Sequence, residues 1–237
     1  MKEAGDPRTH FIPEMPWHKK TVAIIPARGG SKGIPDKNLA EIRNKPLIGW
    51  TIGHALGAKH IDSVYVSTDS EEIGEVATEY GADVIQRPQH MSKDDSPAEQ
   101  ALIHAAYALP TMPETIVMLQ CTSPLRFPWD VDSALEKFRA ERLDSLFSSS
   151  PFYSHVWRDL DGQLFPVEAG QRRMRQTKPP LIHENGSIYI MGVKGLIKKK
   201  LRLYGKIGHY QMGQFQGIEV DSLEELFICE LLKQRGY

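Results

Sequence analysis

Short apolar runs alternate with amphipathic stretches along most of this 237-residue chain. Thr21 to Ile25 reads Thr-Val-Ala-Ile-Ile and stops at Pro26 and a glycine-rich segment. The run is too short for a helix and does not alternate, so it predicts a strand buried on both faces. Ser63 to Thr68, Asp83 to Gln86, Thr115 to Gln120, Leu143 to Ser149 and Gly186 to Met191 predict further strands. Between them lie helical patterns: Pro46 to Gly57, with proline at the start and glycine at the end; Ser70 to Tyr80, opened by a serine cap and stopped by Gly81; about Pro97 to Ala108; and Phe127 to Glu141. Val193 to Lys200 and Ser222 to Arg235 predict two more helices. Strand, loop and helix in this rhythm predict βαβ units, hence an α/β fold with a mostly parallel sheet.

The rhythm breaks after Ser150. Trp157 to Phe165 reads as a hairpin turning on Asp161-Gly162, and about 151–184 as an excursion from the sheet. The start of the chain carries Pro7, Pro13 and Pro16 without periodicity, so 1–18 is expected to be a flexible extension and 19–237 a single domain.

Charge narrows the function. With 29 basic and 30 acidic side chains the net charge is −1, which excludes the basic excess of a nucleic-acid coat; any anion must be met by a local cluster. No apolar run is long enough to span a membrane, and Lys2, Glu3, Asp6, Arg8 and Glu14 occupy the place of a signal peptide, so a cytoplasmic location is expected. Cys121 and Cys229 stand far apart, against a zinc site or disulfide framework and in favour of a reducing compartment.

In a parallel sheet, ligands bind beyond the carboxyl ends of the strands, so the loops there carry the chemistry. The first is Pro26-Ala27-Arg28-Gly29-Gly30-Ser31-Lys32-Gly33, with Lys37-Asn38 beyond it. Its glycines allow close backbone approach and its cations suit a triphosphate, although the spacing matches neither the Walker loop nor the dinucleotide fingerprint. A solvated glycine turn would show the same composition. Asp69 reads as a helix cap or pocket residue, capping preferred. Asp95 or Ser96 reads as a cap for the helix from Pro97. Glu219 and Asp221, two apart, would share one face of a strand and could hold a hard divalent cation.

These segments occur in the order Ile25-Pro26-Ala27-Arg28, Ser67-Thr68-Asp69, Arg87-Pro88, Thr122-Ser123-Pro124-Leu125-Arg126 and Glu184-Asn185-Gly186-Ser187-Ile188-Tyr189. In that order the chain resembles the acylneuraminate cytidylyltransferase family from Thr21 almost to its end. The resemblance implies a three-layer αβα, Rossmann-like nucleotidyltransferase fold of the glycosyltransferase-A type with a small dimerisation excursion. It implies transfer of CMP from CTP to a nine-carbon 2-keto acid sugar, with Mg2+ as cofactor and a homodimer sharing a composite site. By it, Arg28 and Lys32 bind the β- and γ-phosphates, with Asp221 third in the catalytic set and Glu219 beside it on the metal. Ala27 backbone reads the cytosine edge; Gly29, Ser31, Asn38, Arg87 and Ser96 complete the nucleotide pocket. Gln120, Thr122, Ser123 and Asn185 face the sugar, and Arg175, then Arg158, meets its carboxylate. Cys121, His183 and Glu219 stand where the family usually has proline, arginine and aspartate. Two other readings fit the residues less well: a nucleotidyltransferase acting on a sugar phosphate, and a nucleotide-binding module without turnover.

Overall fold

The structure is a computed structural model that describes residues 18–31, 33–93, 95–167, 174, 176–177 and 181–237. The expected extension falls outside these residues except for His18, where the first strand begins. In chain order the strands are β1 (His18–Pro26), β2 (Glu41–Ile42), β3 (Lys45–Pro46), β4 (Ser63–Thr68), β5 (Asp83–Gln86), β6 (Pro113–Leu119), β7 (Ser145–Phe152), β8 (Trp157–Leu160), β9 (Gln163–Pro166), β10 (Leu181–Gly192) and β11 (Ile207–Gln211). The helices are α1 (Leu47–Leu56), α2 (Glu71–Glu79), α3 (Ala98–Ala108), α4 (Pro128–Ala140), α5 (Val193–Lys199) and α6 (Leu223–Gln234).

Seven strands form one sheet in the order β11-β7-β10-β6-β1-β4-β5. All pairings are parallel except those of β10, which runs antiparallel to both β6 and β7. Alternation decides the layers. In β1, Ala23 and Ile25 join one buried cluster with α1, α2 and α4, while Val22 and Ile24 join another with α3 and α5. Val117 and Leu119 in β6, against Ile116 and Met118, divide the same way. An apolar run without alternation is therefore what a sheet covered on both faces requires. This is the αβα arrangement expected. Among the described residues no helix is long and apolar enough to cross a membrane.

A third cluster matters for the site. Ile34, Ile42, Leu47, Leu125, Val220 and Cys229 are buried together, so the segment after β1 packs against the chain entering α6. Residues far apart in sequence meet here: a Cβ on Gly33 would lie 2.8 Å from the Asp221 carbonyl oxygen.

Several expectations need correcting. The sheet claims both ends of the predicted excursion, since β7 runs on to Phe152 and β10 starts at Leu181. Within β10 the pairing with β7 shifts register between Glu184 and Tyr189, a bulge centred on Gly186, whose φ is +68°. β11 escaped prediction because it is a half-exposed edge strand with one aliphatic residue and a glycine. The β2–β3 pair escaped because Arg43 and Asn44, both at positive φ, replace the usual Asn-Gly turn. Residues 218–221 are not a strand, although Glu219 and Asp221 do lie close enough to interact. The Asp161-Gly162 hairpin forms as predicted, with φ of 54° and 82°.

Candidate active site

The direction of the strand order reverses between β1 and β6, and the loops beyond these two strands flank a cavity of about 360 Å³. Arg28, Lys37 and Arg87 line it with Ser31, Asn38, Ser96, Gln120 and Thr122. The chain thus gathers cations from the ends of β1 and β5 into one concavity.

Two N–H groups of the glycine loop are already engaged within the protein. Ala27 N–H donates to the Ser67 carbonyl at 3.0 Å, continuing the sheet, so that group is not available to read a base edge. Gly29 N–H is also engaged, donating to Asp69 Oδ1 at 3.1 Å. Asn38 pins the loop from the other side, its Nδ2 donating to the Arg28 carbonyl at 2.9 Å. Asp69 therefore does not cap α2; Ser70 does, accepting from Ile73 N–H at 3.3 Å. α3 begins behind Pro97 without a side-chain cap, which leaves Ser96 on the cavity instead of in the capping role expected of it or Asp95.

Arg87 is buried, and its Nη2 makes no hydrogen bond although Asp69 Oδ1 lies 3.7 Å away. Its Nε donates to Ser92 Oγ at 3.0 Å. Burial pushes its pKa down, opposed by Asp69. A fixed guanidinium with an unspent buried donor at a cavity wall is chemistry suited to an incoming anion.

A second, adjoining cavity of about 480 Å³ shares Gln120 with the first and is lined mainly by Glu99, Glu184, Tyr189, Arg202 and Glu219, with Gly186 at the bulge. Glycine is required there: a Cβ at position 186 would lie 2.6 Å from Glu219 Cδ and 2.9 Å from Gln120 Oε1. Burial, then the neighbouring Asp221, raises the Glu219 carboxyl to about 7. Asp221 is more exposed and accepts from Lys37 Nζ at 2.8 Å. A capping box holds it at the start of α6, where Glu225 Oε2 accepts from the N–H groups of Asp221 and Ser222 at 2.8 and 2.9 Å.

Arg126 fixes the wall between the cavities. It is fully buried and donates to Ser187 Oγ at 3.1 Å, to Thr51 Oγ1 at 2.9 Å and to the Gln120 carbonyl. Burial lowers its pKa to about 10, so it remains a cation at neutral pH.

Other expected site residues stand elsewhere. Ser123 and Asn185 are buried and line neither cavity; Asn185 accepts from Ser148 Oγ at 2.6 Å and serves the β7–β10 contact. Arg158 lies on the exposed β8–β9 hairpin and also lines neither cavity. Lys32 and Arg175 lie outside the described residues. Thr122 does reach the first cavity, with a buried hydroxyl that lacks a partner. Glu99, Glu184 and Arg202 were not foreseen. A charge in a helix's first turn or after its last carries no local mark of a pocket, but the lone glycine inside the β10 pattern was a bulge signal.

Among the described residues no group of three His, Cys, Asp or Glu side chains could cage a metal. Two nearby carboxylates, Glu219 and Asp221, suit instead a hard cation that takes its remaining ligands from water and phosphate.

Fold and cavities together define an α/β protein with a cationic pocket at its switch point, set against a carboxylate-bearing one. The family model described as Cytidylyltransferase matches residues 22–161, and the chain belongs to the cytidylyltransferase family. N-acylneuraminate cytidylyltransferase B of Danio rerio is 34% identical over 210 residues, covering 86% of this chain and 49% of that protein. N-acylneuraminate cytidylyltransferase of Streptococcus agalactiae serotype V is 32% identical over 213 residues, covering 87% and 51%. The chain thus spans about half the length of these curated relatives. Among solved structures, a CMP:2-keto-3-deoxy-manno-octonic acid synthetase complexed with CTP shares the fold with a TM-score of 0.71 at 20% identity, covering 92% of this chain and 100% of that one. The 4-diphosphocytidyl-2C-methyl-D-erythritol synthase of Anaerococcus prevotii gives 0.67 at 14% identity, covering 91% and 96%.

Proposed function

We propose that this protein transfers CMP from CTP to the anomeric hydroxyl of a nine-carbon 2-keto acid sugar. The observation that carries this reading is the pair of adjoining cavities divided by Gln120, one offering Arg28, Lys37 and Arg87, the other offering polar groups around Glu219. The triphosphate lies in the first cavity and the acceptor in the second. The acceptor hydroxyl oxygen forms a bond to the α-phosphorus, the bond from that phosphorus to the bridging oxygen breaks, pyrophosphate leaves, and the hydroxyl proton goes to solvent.

Such a step asks the protein for alignment and charge neutralisation. Arg28 and Arg87 neutralise the departing phosphates, with Lys32 joining them by the family pattern. Asn38 and Asp69 hold the loop that carries Arg28. Arg126 fixes the Gln120 main chain between the reactants. Mg2+, held by Asp221 and Glu219, supplies further charge neutralisation at the phosphates when bound.

The finer assignments belong to the same proposal. The β8–β9 hairpin leaves Trp157, Leu160, Leu164 and Phe165 exposed, a surface suited to a second copy in a homodimer. Two buried, unpaired cysteines fit a reducing, cytoplasmic setting.

The test is an assay of CTP with a set of nonulosonic acids, following pyrophosphate and the CMP-sugar by mass. Asp221→Asn and Lys32→Ala should each depress pyrophosphate release strongly. Full turnover in both variants would remove the mechanism. Consumption of a sugar phosphate in preference to every acid would favour the sugar-phosphate alternative.

A further inference from the structure

The second cavity has a far wall that the transfer chemistry leaves unused. Glu99 from the first turn of α3 and Leu201, Arg202 and Leu203 from the loop after α5 form it. Arg202 Nε donates to Glu99 Oε1 at 2.7 Å. The guanidinium carbon lies 5.0 Å from the centre of the Tyr189 ring, and the Tyr189 hydroxyl donates to Glu184 at 2.6 Å. The guanidinium is therefore held at its edge by a carboxylate and on its face by an aromatic ring that is itself tethered. Burial alone would raise the Glu99 carboxyl, yet the bond to Arg202 keeps it below its ordinary value, so the pair stands as two ions.

A carboxylate and a guanidinium side by side offer an acceptor and several donors to one ligand group. That is the complement of an amide, whose N–H donates and whose carbonyl accepts. Leu201 and Leu203 beside the pair offer apolar surface for a small acyl chain. A hydroxyl in the same place would leave the leucines without a partner. A second carboxylate would meet repulsion from Glu99 and Glu184.

We propose that Glu99 and Arg202 are specificity-determining residues that read an acylamino substituent on the acceptor, with Leu201 and Leu203 against its acyl chain. The inference rests on the reading that the acceptor occupies this cavity.

The experiment compares kcat/KM for N-acetylneuraminate and for the analogue with a hydroxyl in place of the acetamido group, at saturating CTP. The unmodified protein should prefer the acetamido compound by about tenfold or more. Glu99→Gln and Arg202→Met should each lower that preference by at least about fivefold while leaving the KM for CTP unchanged. Because the ion pair also ties α3 to the loop after α5, thermal midpoints are measured alongside. Leu201→Ala serves as a second probe, since Leu201 is 54% exposed and its loss does not threaten the fold. It should weaken use of the acetamido acid and leave the hydroxyl analogue unaffected. A preference within twofold in the unmodified protein, or one unmoved in all three variants, overturns the proposal. If CTP binds by calorimetry but neither acid yields a CMP-sugar, the acceptor reading itself falls, and this inference with it.

Discussion

Gly186→Ala separates the backbone of the bulge from the chemistry beside it. Two penalties follow from the geometry. An alanine held at φ +68° costs about 1–2 kcal/mol, partly offset by about 0.4–1 kcal/mol from the stiffer unfolded chain. The net loss of about 1 kcal/mol should lower the thermal midpoint by about 2–4 °C in a protein of this size. The new Cβ also lands against Glu219 Cδ at 2.6 Å and Gln120 Oε1 at 2.9 Å, where nonbonded carbons need about 3.5 Å. Glu219 must move by about an ångström and Gln120 by about half that, and a misplacement of about an ångström at a reacting centre costs about a hundredfold in rate. Pyrophosphate release and a thermal melt, run on the same preparations, are the assays. The same substitution in a Glu219→Ala background should cost markedly less further activity, because the clashing carboxylate is already gone. An activity loss under about twofold would refute the reasoning, since it would mean that Glu219 and Gln120 need not hold their places.

Three further outcomes are expected. Arg87→Met removes a buried guanidinium with an unspent donor, and kcat/KM for CTP should fall about tenfold to a hundredfold, with kcat itself lowered because the charge on the departing pyrophosphate is no longer met, measured by initial rates. Arg126→Met strips donors from Ser187, Thr51 and the Gln120 carbonyl in a dry interior and should destabilise the fold by about 3 kcal/mol or more in urea titration. Lys233 tests the pH dependence: burial, then Arg126, lowers its pKa to about 8, with its ammonium 4.2 Å from the centre of the Trp50 ring. Between about 8 and the ordinary lysine value near 10.4, the unfolded chain binds the proton that the folded one has released, so this group's contribution to stability rises with pH. Melts of the protein and of Lys233→Met, compared from pH 7.5 to 10, should show the difference shifting in favour of Lys233; a constant difference would contradict the assignment.

Much of the nucleotide side was legible because it is local. The apolar run ending at Ile25, its glycine loop, and Arg28 with Asn38 lie within one segment, and the parallel sheet then brings Arg87 to the same edge. Ser70 as the cap of α2 and Gly57 at the end of α1 also follow from side-chain chemistry a few residues long. Roles that depend on a distant partner were misread. Asp69 looks like a cap until Gly29 and Arg87 are placed beside it, and Asn185 looks like a sugar ligand until Ser148 and Ser187 are seen to donate to its oxygen and its Nδ2 to donate to Met212 Sδ.

By itself the sequence determined the α/β layering, since apolar runs without alternation must be covered on both faces, and the position of the cationic loop, since a glycine-rich break after a buried strand has nowhere else to go. Only the tertiary structure decided that β10 runs antiparallel and bulges at Gly186, that Asp221 meets Lys37 across most of the chain's length, and that Glu99 and Arg202 share a wall with Gln120. The physical reason is range. Propensity and periodicity act over a few residues, whereas a pocket is made by packing surfaces such as Ile34 against Val220, whose contact no local pattern encodes.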